Sequence, residues 1–387
     1  MRKTRIYLDN SATTRVDDQV LAAMIPAMQS NFGNASSIHT FGQEARAAVE
    51  EARASVASFL GAEAREIIFT SGGTESDNAA LWGIFRSGYR PGNHIITSRI
   101  EHPAVLLTCK ALENAGAEVT YLPVDSSGRV DADDVRSAVR ETTILISIMH
   151  ANNETGVIQP MEEISAIARE RGIVMHTDAV QSVGKIPVKV SGLGVDLLSL
   201  SGHKFHAPKG IGVLYVRQGT RLTPFLTGGS HERKRRAGTE NVPGIIGLGI
   251  AARLASERLP EMATRVAELR DQLESRIRVR IPGVMVNGEA PRLPNITNLS
   301  FAGIEGEAAM ISMDLEGLAV STGSACSSGS LEASHVLAAM GLRPEVIQGS
   351  LRFSLCYHST AEEIDRTVEI VVGVVERLRR LSGRIAG

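Results

Sequence analysis

The sequence predicts an α/β protein built on a mainly parallel β-sheet, and three features of the chain support this. Short runs rich in β-branched residues alternate with helical stretches from about residue 66 to residue 216. Most of these runs are apolar throughout, which is typical of strands buried on both faces of a parallel sheet. The chain of 387 residues is also long enough to form two domains.

The first predicted elements are helices, followed by strands. Residues 17–60 are predicted to be helical, because Val20, Leu21 and Met24 recur at helical spacing and residues 44–60 are rich in Ala, Glu and Arg. The seven predicted strands are residues 66–70, 94–98, 118–123, 143–149, 173–177, 196–200 and 212–216. These seven strands are expected to form the sheet of one large domain.

A change of pattern after this region predicts a second, smaller domain. A long amphipathic helix is predicted from Val242 to about Arg278, with a break at Pro260. It is followed by a strand, strand, helix pattern that is typical of an α+β domain. We therefore predict a large domain of residues 15–260 and a small domain of residues 1–14 and 261–387.

Composition excludes several classes of function. Lys and Arg total 41 against 43 Asp and Glu, and aromatic residues make up 4%, so neither charge nor base stacking favours nucleic acid. No apolar run approaches the length of a membrane span. Cys109, Cys326 and Cys356 are too few and too scattered for a disulfide framework. We expect a cytoplasmic protein that binds small molecules or proteins, and neither nucleic acid nor a membrane.

The first candidate site is the strand, Gly-Gly-Thr turn and helix of residues 67–80. Gly72 and Gly73 allow close approach of a ligand, Thr74 adds a hydroxyl, and the helix N-terminus presents free N–H groups to a phosphate. The turn matches neither the Walker loop nor the dinucleotide fingerprint, which disfavours nucleotides. An ordinary capped helix is the alternative interpretation.

Two further candidates follow apolar strands. Asp178 ends one strand, where a buried carboxylate requires a cationic partner, although it could equally be the N-cap of the next helix. Lys204 lies in the turn between two apolar strands, where a partly desolvated lysine can form a Schiff base, although most lysines are solvated surface charges. A phosphate cradle, a partner for a pyridine nitrogen and such a lysine are together what pyridoxal phosphate (PLP) requires.

Seven motifs along the chain carry a resemblance to a known family. They are Tyr7-Leu-Asp-Asn-Ser-Ala-Thr-Thr14, Ser71-Gly-Gly-Thr-Glu-Ser76, Glu101-His-Pro-Ala-Val105, Asn152-Asn-Glu-Thr-Gly156, Ser201-Gly-His-Lys204, Arg236-Ala-Gly-Thr239 and Ser321-Thr-Gly-Ser-Ala-Cys326. Over essentially its whole length the chain resembles the cysteine desulfurases of the nitrogen-fixation and iron–sulfur-assembly type. The resemblance implies PLP-dependent transferase fold type I, which is aspartate-aminotransferase-like, with a seven-stranded large domain and a smaller α+β domain.

The resemblance also implies roles for the cofactor site. Lys204 would bind PLP covalently and move protons, Asp178 would pair with the pyridine N–H, and Gln181 would bond to the ring hydroxyl. His102 would stack on the ring and assist acid–base steps. The residues expected to hold the phosphate are Gly73, Thr74, Ser201 and His203, together with Thr239 from the neighbouring subunit. A homodimer is therefore implied.

The same resemblance places the substrate and the sulfur. Asn153 would contact the cofactor and, with Arg352, hold the carboxylate of L-cysteine, although a structural role is the usual one for such an arginine. Cys326 would take the sulfur as a persulfide and leave L-alanine. It would then pass the sulfur to an iron–sulfur scaffold or another acceptor protein, and it could act as a transient shared iron–sulfur ligand.

Two departures and three rival functions accompany this resemblance. Cys356-Tyr-His358 replaces the glycine and arginine that the family usually has after the substrate arginine, and the chain ends at Gly387 without the longer tail that relatives use to dock a scaffold. The rivals are a PLP lyase acting on selenocysteine or cysteine sulfinate, a PLP aminotransferase, and a non-catalytic binding protein on the same fold.

Overall fold

The structure is a computed structural model that describes residues 5–88, 90–322 and 333–382. Its strands are β1 Ile6–Tyr7, β2 Ile67–Thr70, β3 His94–Ser98, β4 Glu118–Leu122, β5 Thr143–Ser147, β6 Val174–Asp178, β7 Leu197–Ser201, β8 Gly212–Val216, β9 Val284–Val286, β10 Ile296–Phe301, β11 Leu318–Ala319 and β12 Ser350–Ser354. Its α-helices are α1 Asp18–Gln29, α2 Thr40–Leu60, α3 Gly73–Ser87, α4 Pro103–Asn114, α5 Ala132–Ala138, α6 Met161–Glu170, α7 Val190–Leu193, α8 Val242–Glu261, α9 Ala267–Arg280, α10 Gly306–Leu315, α11 His335–Ala339, α12 Pro344–Gln348 and α13 Ala361–Leu381.

The central sheet has the seven strands that the sequence predicts, in the order β2-β8-β7-β6-β5-β3-β4. Strands β7, β6, β5, β3 and β4 run parallel to one another, whereas β8 is antiparallel to both of its neighbours, β7 and β2. The link of residues 202–211 between β7 and β8 is shorter than the dozen or so residues that a parallel crossover needs. The prediction of a mainly parallel α/β sheet is therefore confirmed, and one short connection explains its exception.

Helices cover both faces of this sheet. On one face, α1, α2 and α8 contribute to the largest buried apolar cluster, which spans residues 20–255. On the other face, α3 and α4 pack their apolar sides against the strands. The predicted helical region of residues 17–60 is two helices, because residues 30–39 between α1 and α2 are not helical.

A second apolar cluster lies outside the central sheet. It joins Ile6 and Leu8 to side chains between residues 262 and 375. Its antiparallel sheet has the order β12-β10-β9, and β1 pairs with β11. The predicted long helix is α8 and α9, which are joined by a π-helical turn at residues 262–266. This turn comes just after Pro260, whose missing N–H disturbs the hydrogen-bond ladder. The division at residues 14 and 260 stays a prediction.

Within the described ranges, no helix is both long enough and apolar enough to cross a membrane.

Candidate active site

The centre of the candidate site lies where β6 and β7 end. Asp178 is the last residue of β6, and Lys204 lies in the single 3₁₀ turn that follows β7. The Lys204 Nζ donates to the carbonyl oxygens of Ser11 at 2.6 Å and Ala12 at 2.8 Å. Gln181 Nε2 donates to the same Ser11 oxygen at 3.0 Å. The fold therefore brings three predicted site residues to one place, because parallel strands end at the same edge of a sheet.

Asp178 is a buried carboxyl group that suits a cationic ligand. It is 6% exposed, and its Oδ1 accepts from the Val180 N–H at 2.8 Å. Burial raises its pKa above the ordinary value, and the Val180 N–H and the charge of Lys204 partly oppose this shift. No Lys, Arg or His within the described ranges lies at ion-pair distance from Asp178. A protonated pyridine nitrogen would supply the missing positive charge.

Gln181 adds an independent observation that a ligand is expected here. Its Oε1 is buried and accepts no hydrogen bond within the part of the chain that the structure describes. A buried acceptor of this kind normally has a donor partner. The ring hydroxyl of PLP is such a donor, so the residues present fit the cofactor.

Two buried groups beside Asp178 were missed in the sequence analysis. Asp77, on α3, is 1% exposed, and burial together with the Asp178 carboxylate raises its pKa well above the ordinary value. His176 Nε2 lies 3.7 Å from Asp77 Oδ1 and hydrogen-bonds to the Ser199 hydroxyl at 3.0 Å. Burial lowers the pKa of His176 to about 3, so its ring is neutral. The sequence signal was an acidic residue on the helix face that packs against the sheet.

The N-terminus of α3 forms the candidate phosphate site. Gly72 is its N-cap and provides no side-chain capping bond, which leaves the first N–H groups of the helix available for an anion. A Cβ on Gly73 would lie 2.8 Å from Val180 Cγ2 and 3.5 Å from the Cβ of Ser201, so a larger residue here would clash with the Val180 side chain. Ser201 is buried, whereas Thr74 is exposed. The alternative interpretation, in which a side chain caps the N-terminus of α3, is therefore not observed.

The two predicted histidines are neutral. His102 is the N-cap of α4, and its Nδ1 accepts from the Ala104 N–H at 3.1 Å, which leaves the ring proton on Nε2. Burial, with Lys204 and His335 nearby, lowers the pKa of His102 to about 4. His203 contacts the Thr13 hydroxyl at 3.1 Å, and burial and Lys204 lower its pKa to about 4. Neutral rings can stack on a cofactor or donate to a phosphate without adding charge.

The predicted substrate residues also meet. Arg352, on β12, is 2% exposed, and its Nη1 donates to the Asn153 carbonyl oxygen at 2.9 Å. Its Nη2 donates to Asp9 Oδ1 at 2.8 Å. Its Nε is buried and has no hydrogen-bond partner in the described ranges. Sequence reasoning missed Asp9, although it lies in the first of the recognised motifs.

Cys326 lies outside the described residues, but the chain on either side of its segment is anchored at the site. Ser321 exchanges backbone hydrogen bonds with Arg352 at 2.7 and 3.2 Å. After the segment, Ser334 donates to Glu154 Oε2 at 2.6 Å and His335 Nε2 lies 3.0 Å from the Glu101 carbonyl oxygen. Glu154 and Glu101 are the sequence neighbours of the candidate residues Asn153 and His102.

Thr239 is exposed on a loop that is tied to the phosphate site. Arg236, three residues earlier, forms an ion pair with Glu75 in the first turn of α3, with 2.8 Å between Arg236 Nε and Glu75 Oε1. This pair lowers the pKa of Glu75 although burial opposes it. The loop thus starts beside the α3 N-terminus and presents Thr239 to the outside of the chain.

The fold and this set of residues define an aminotransferase-type PLP enzyme. The aminotransferase class-V family matches residues 6–367. The cysteine desulfurase IscS of Dictyoglomus turgidum is 53% identical over 381 residues, which cover 98% of this chain and 97% of that protein. A solved NifS-like protein superposes with a TM-score of 0.91 at 41% identity, over 97% of this chain and 100% of the other. The structure of SspA in complex with cysteine gives a TM-score of 0.82 at 37% identity, over 92% and 100%. The chain therefore belongs to the class-V aminotransferase family and, within it, to the cysteine desulfurases.

Proposed function

We propose that this protein is a PLP-dependent cysteine desulfurase that converts L-cysteine to L-alanine and keeps the sulfur as a persulfide on Cys326. One observation carries the assignment of Cys326. Both ends of its segment are hydrogen-bonded to groups at the candidate site, Ser321 to Arg352 and His335 to the carbonyl oxygen beside His102. The relatives that carry the name cysteine desulfurase support the overall reaction, and the bound cysteine of SspA supports the substrate.

The residues that would hold PLP are those that the sequence resemblance implies, and the buried Asp178 carboxyl group and the unpaired Gln181 Oε1 support two of them. Asp178 would pair with the pyridine nitrogen, Gln181 Oε1 would accept from the ring hydroxyl, and Lys204 would bind the cofactor covalently. His102 would stack on the ring, and Asn153 would lie beside it. The phosphate would be held by Gly73, Thr74, Ser201, His203 and, from a second subunit, Thr239. When bound, PLP accepts the electron pair released at the substrate Cα.

The chain's own groups perform the remaining tasks. Arg352 and Asn153 orient the substrate carboxylate, and Asp178 keeps the pyridine nitrogen protonated. Lys204 Nζ takes the Cα proton and returns it, because the Ser11 and Ala12 carbonyl oxygens hold this amine at the site. The Cys326 thiolate forms an S–S bond with the substrate sulfur as the C–S bond breaks, and the carbon fragment is protonated to L-alanine.

We further propose a homodimer, because an apolar patch lies on the side of the molecule that carries the Thr239 loop. The patch consists of Leu21, Ile25, Met28, Phe32, Ile38 and Phe41. Phe32 is 67% and Ile38 91% exposed, which is costly in water and typical of a surface that a partner covers. Ser36, inside the patch, lies 3.2 Å from His231, which in turn contacts Glu240 next to Thr239. A second copy of this chain is the occupant that would also complete the phosphate site.

The sulfur acceptor and the location stay predictions from the sequence. An iron–sulfur scaffold or another acceptor protein would receive the persulfide sulfur, and Cys326 would share a cluster only transiently as it is assembled. The low number of cysteines remains the basis for a cytoplasmic location.

The persulfide assignment is tested by mass spectrometry after brief exposure of the PLP-loaded protein to L-cysteine, without reductant. One extra sulfur is expected on the peptide containing Cys326, and Cys326→Ser should bind L-cysteine but form no alanine. The other two thiols are matched controls, because burial raises the pKa of Cys109 to about 12 and also raises that of Cys356. Sulfur on Cys356 would overturn the carrier assignment, and alanine without any persulfide would favour the lyase rival.

A further inference from the structure

The turn formed by residues 9–12 contacts both halves of the candidate site. Asp9 is paired with Arg352, and Ser11 and Ala12 supply the carbonyl oxygens that hold Lys204. The turn is fixed to β12 by the bond from Asn10 Nδ2 to the Ser354 carbonyl oxygen at 2.8 Å and by a backbone bond from Asn10 to the same oxygen at 3.2 Å. The position of Asp9 relative to Arg352 is therefore set by backbone structure.

The guanidinium of Arg352 already forms an ion pair with the Asp9 carboxylate before any substrate binds. The Asp9 carboxylate contacts only Nη2, and the Asn153 carbonyl oxygen contacts only Nη1. A guanidinium has five N–H donors, and the buried Nε–H has no partner in the described chain. Donors therefore remain for a second carboxylate, but the positive charge that would attract it is already balanced. The Asp9 side chain is 19% exposed and that of Arg352 only 2%, so solvent screens this balance weakly.

We propose that Asp9 is a positioning residue that weakens the binding of amino-acid carboxylates to Arg352 and so allows L-alanine to leave. This inference rests on the proposed function, because Arg352 must be the carboxylate site. L-cysteine and L-alanine carry the same carboxylate, so any affinity that Arg352 gives the substrate is retained by the product. Binding energy of this uniform kind does not accelerate the reaction and slows release. The Asp9 carboxylate, which is paired with the same guanidinium, reduces the binding energy of both L-cysteine and L-alanine.

The test compares wild type with Asp9→Asn, each loaded with PLP, by calorimetric titration with L-alanine and with L-alaninamide. Asparagine keeps an acceptor for Nη2 but removes the like charge. L-alanine should bind at least about tenfold more tightly, since a like charge a few ångströms away costs more than this at the effective dielectric of a protein. L-alaninamide, which has no carboxylate, should bind as it does to wild type. The KM for L-cysteine should fall, and kcat should fall with it as release slows.

Asp17→Asn is the matched control, because Asp17 lies in the same N-terminal region and is paired with a different arginine, Arg258, at 2.8 Å. It should leave the affinity for L-alanine unchanged. If Asp9→Asn does not fold, Asp9→Ser removes the same charge and should shift the affinity in the same direction. Weaker or unchanged L-alanine binding in the folded variant overturns the inference. If wild type makes no alanine from L-cysteine, the proposed function fails instead, so the two failures are distinguishable.

Discussion

Asp178 combines burial with the absence of a cationic side chain at ion-pair distance in the described chain. We expect Asp178→Asn to keep its fold and to lose turnover by on the order of a hundredfold or more, because a neutral amide cannot keep the pyridine nitrogen protonated. Asp196 is a matched control at the opposite edge of the sheet, where its carboxylate pairs with Arg217 at 3.2 Å. Asp196→Asn should keep turnover. Near-normal alanine formation by Asp178→Asn would contradict the role.

Glu101 provides a pH-dependent prediction. It is fully buried, its Oε1 accepts from Ser98 and Met149, and its Oε2 has no partner in the described ranges. Burial raises its pKa to about 8, above its value of 4.5 in the unfolded chain. The folded state therefore binds more protons than the unfolded state between these pH values, and this group costs stability as the pH rises.

Glu101→Gln should remove that cost, because a glutamine keeps the acceptor and never ionises. In scanning calorimetry, the melting temperature of the variant minus that of wild type should be larger at pH 8.5 than at pH 5. Exposed Glu51→Gln on α2 is the control and should show no such trend. An equal difference in melting temperature between variant and wild type at both pH values would mean that Glu101 is charged in the folded protein.

At the scale of elements, the start of α3 is defined by close packing. A Cβ at position 73 would lie 2.8 Å from Val180 Cγ2, so Gly73→Ala must displace the helix N-terminus or the Val180 side chain. We expect PLP to bind about tenfold more weakly, because the N–H groups at a helix N-terminus bind a phosphate only when they point at it. Equilibrium dialysis of PLP measures the loss.

Two further variants separate this effect from general destabilisation. Val180→Ala in the Gly73→Ala background removes the clashing methyl group and should restore PLP affinity. Gly88→Ala, at the other end of α3, strains a positive φ of 59° but meets no atom within 4 Å. It should lower stability and leave PLP affinity intact. Failure of the Val180→Ala rescue would show that Gly73 serves another purpose.

At the scale of the whole molecule, the apolar patch of Leu21, Ile25, Met28, Phe32, Ile38 and Phe41 predicts self-association. Wild type should sediment as a dimer, and Ile38→Asp should shift it to a monomer, because a carboxylate would be buried without a partner. Val279→Asp is the control, since Val279 is 85% exposed on α9, outside the patch. A wild-type monomer with full PLP occupancy would contradict both the dimer and the role of Thr239.

The sequence by itself determined the elements and the part of the site that follows from them. The strand patterns predicted all seven strands of the central sheet. Asp178 and Lys204 were expected together because each follows an apolar strand and PLP requires both groups. The family resemblance also indicated Arg352 and Asn153, which the structure joins at 2.9 Å. In each case the signal is local, since hydrophobic period and turn chemistry are properties of neighbouring residues.

Only the tertiary structure decided which distant groups meet. The pairing of Asp9 with Arg352 joins residues 343 positions apart, and no local pattern reports it. The sequence shows Asp77 only as an acidic residue on the inner face of α3, and its burial beside Asp178 follows from the packing of α3 against β6. The cause is physical, because burial and long-range contact are properties of the packed chain and not of its sequence neighbours.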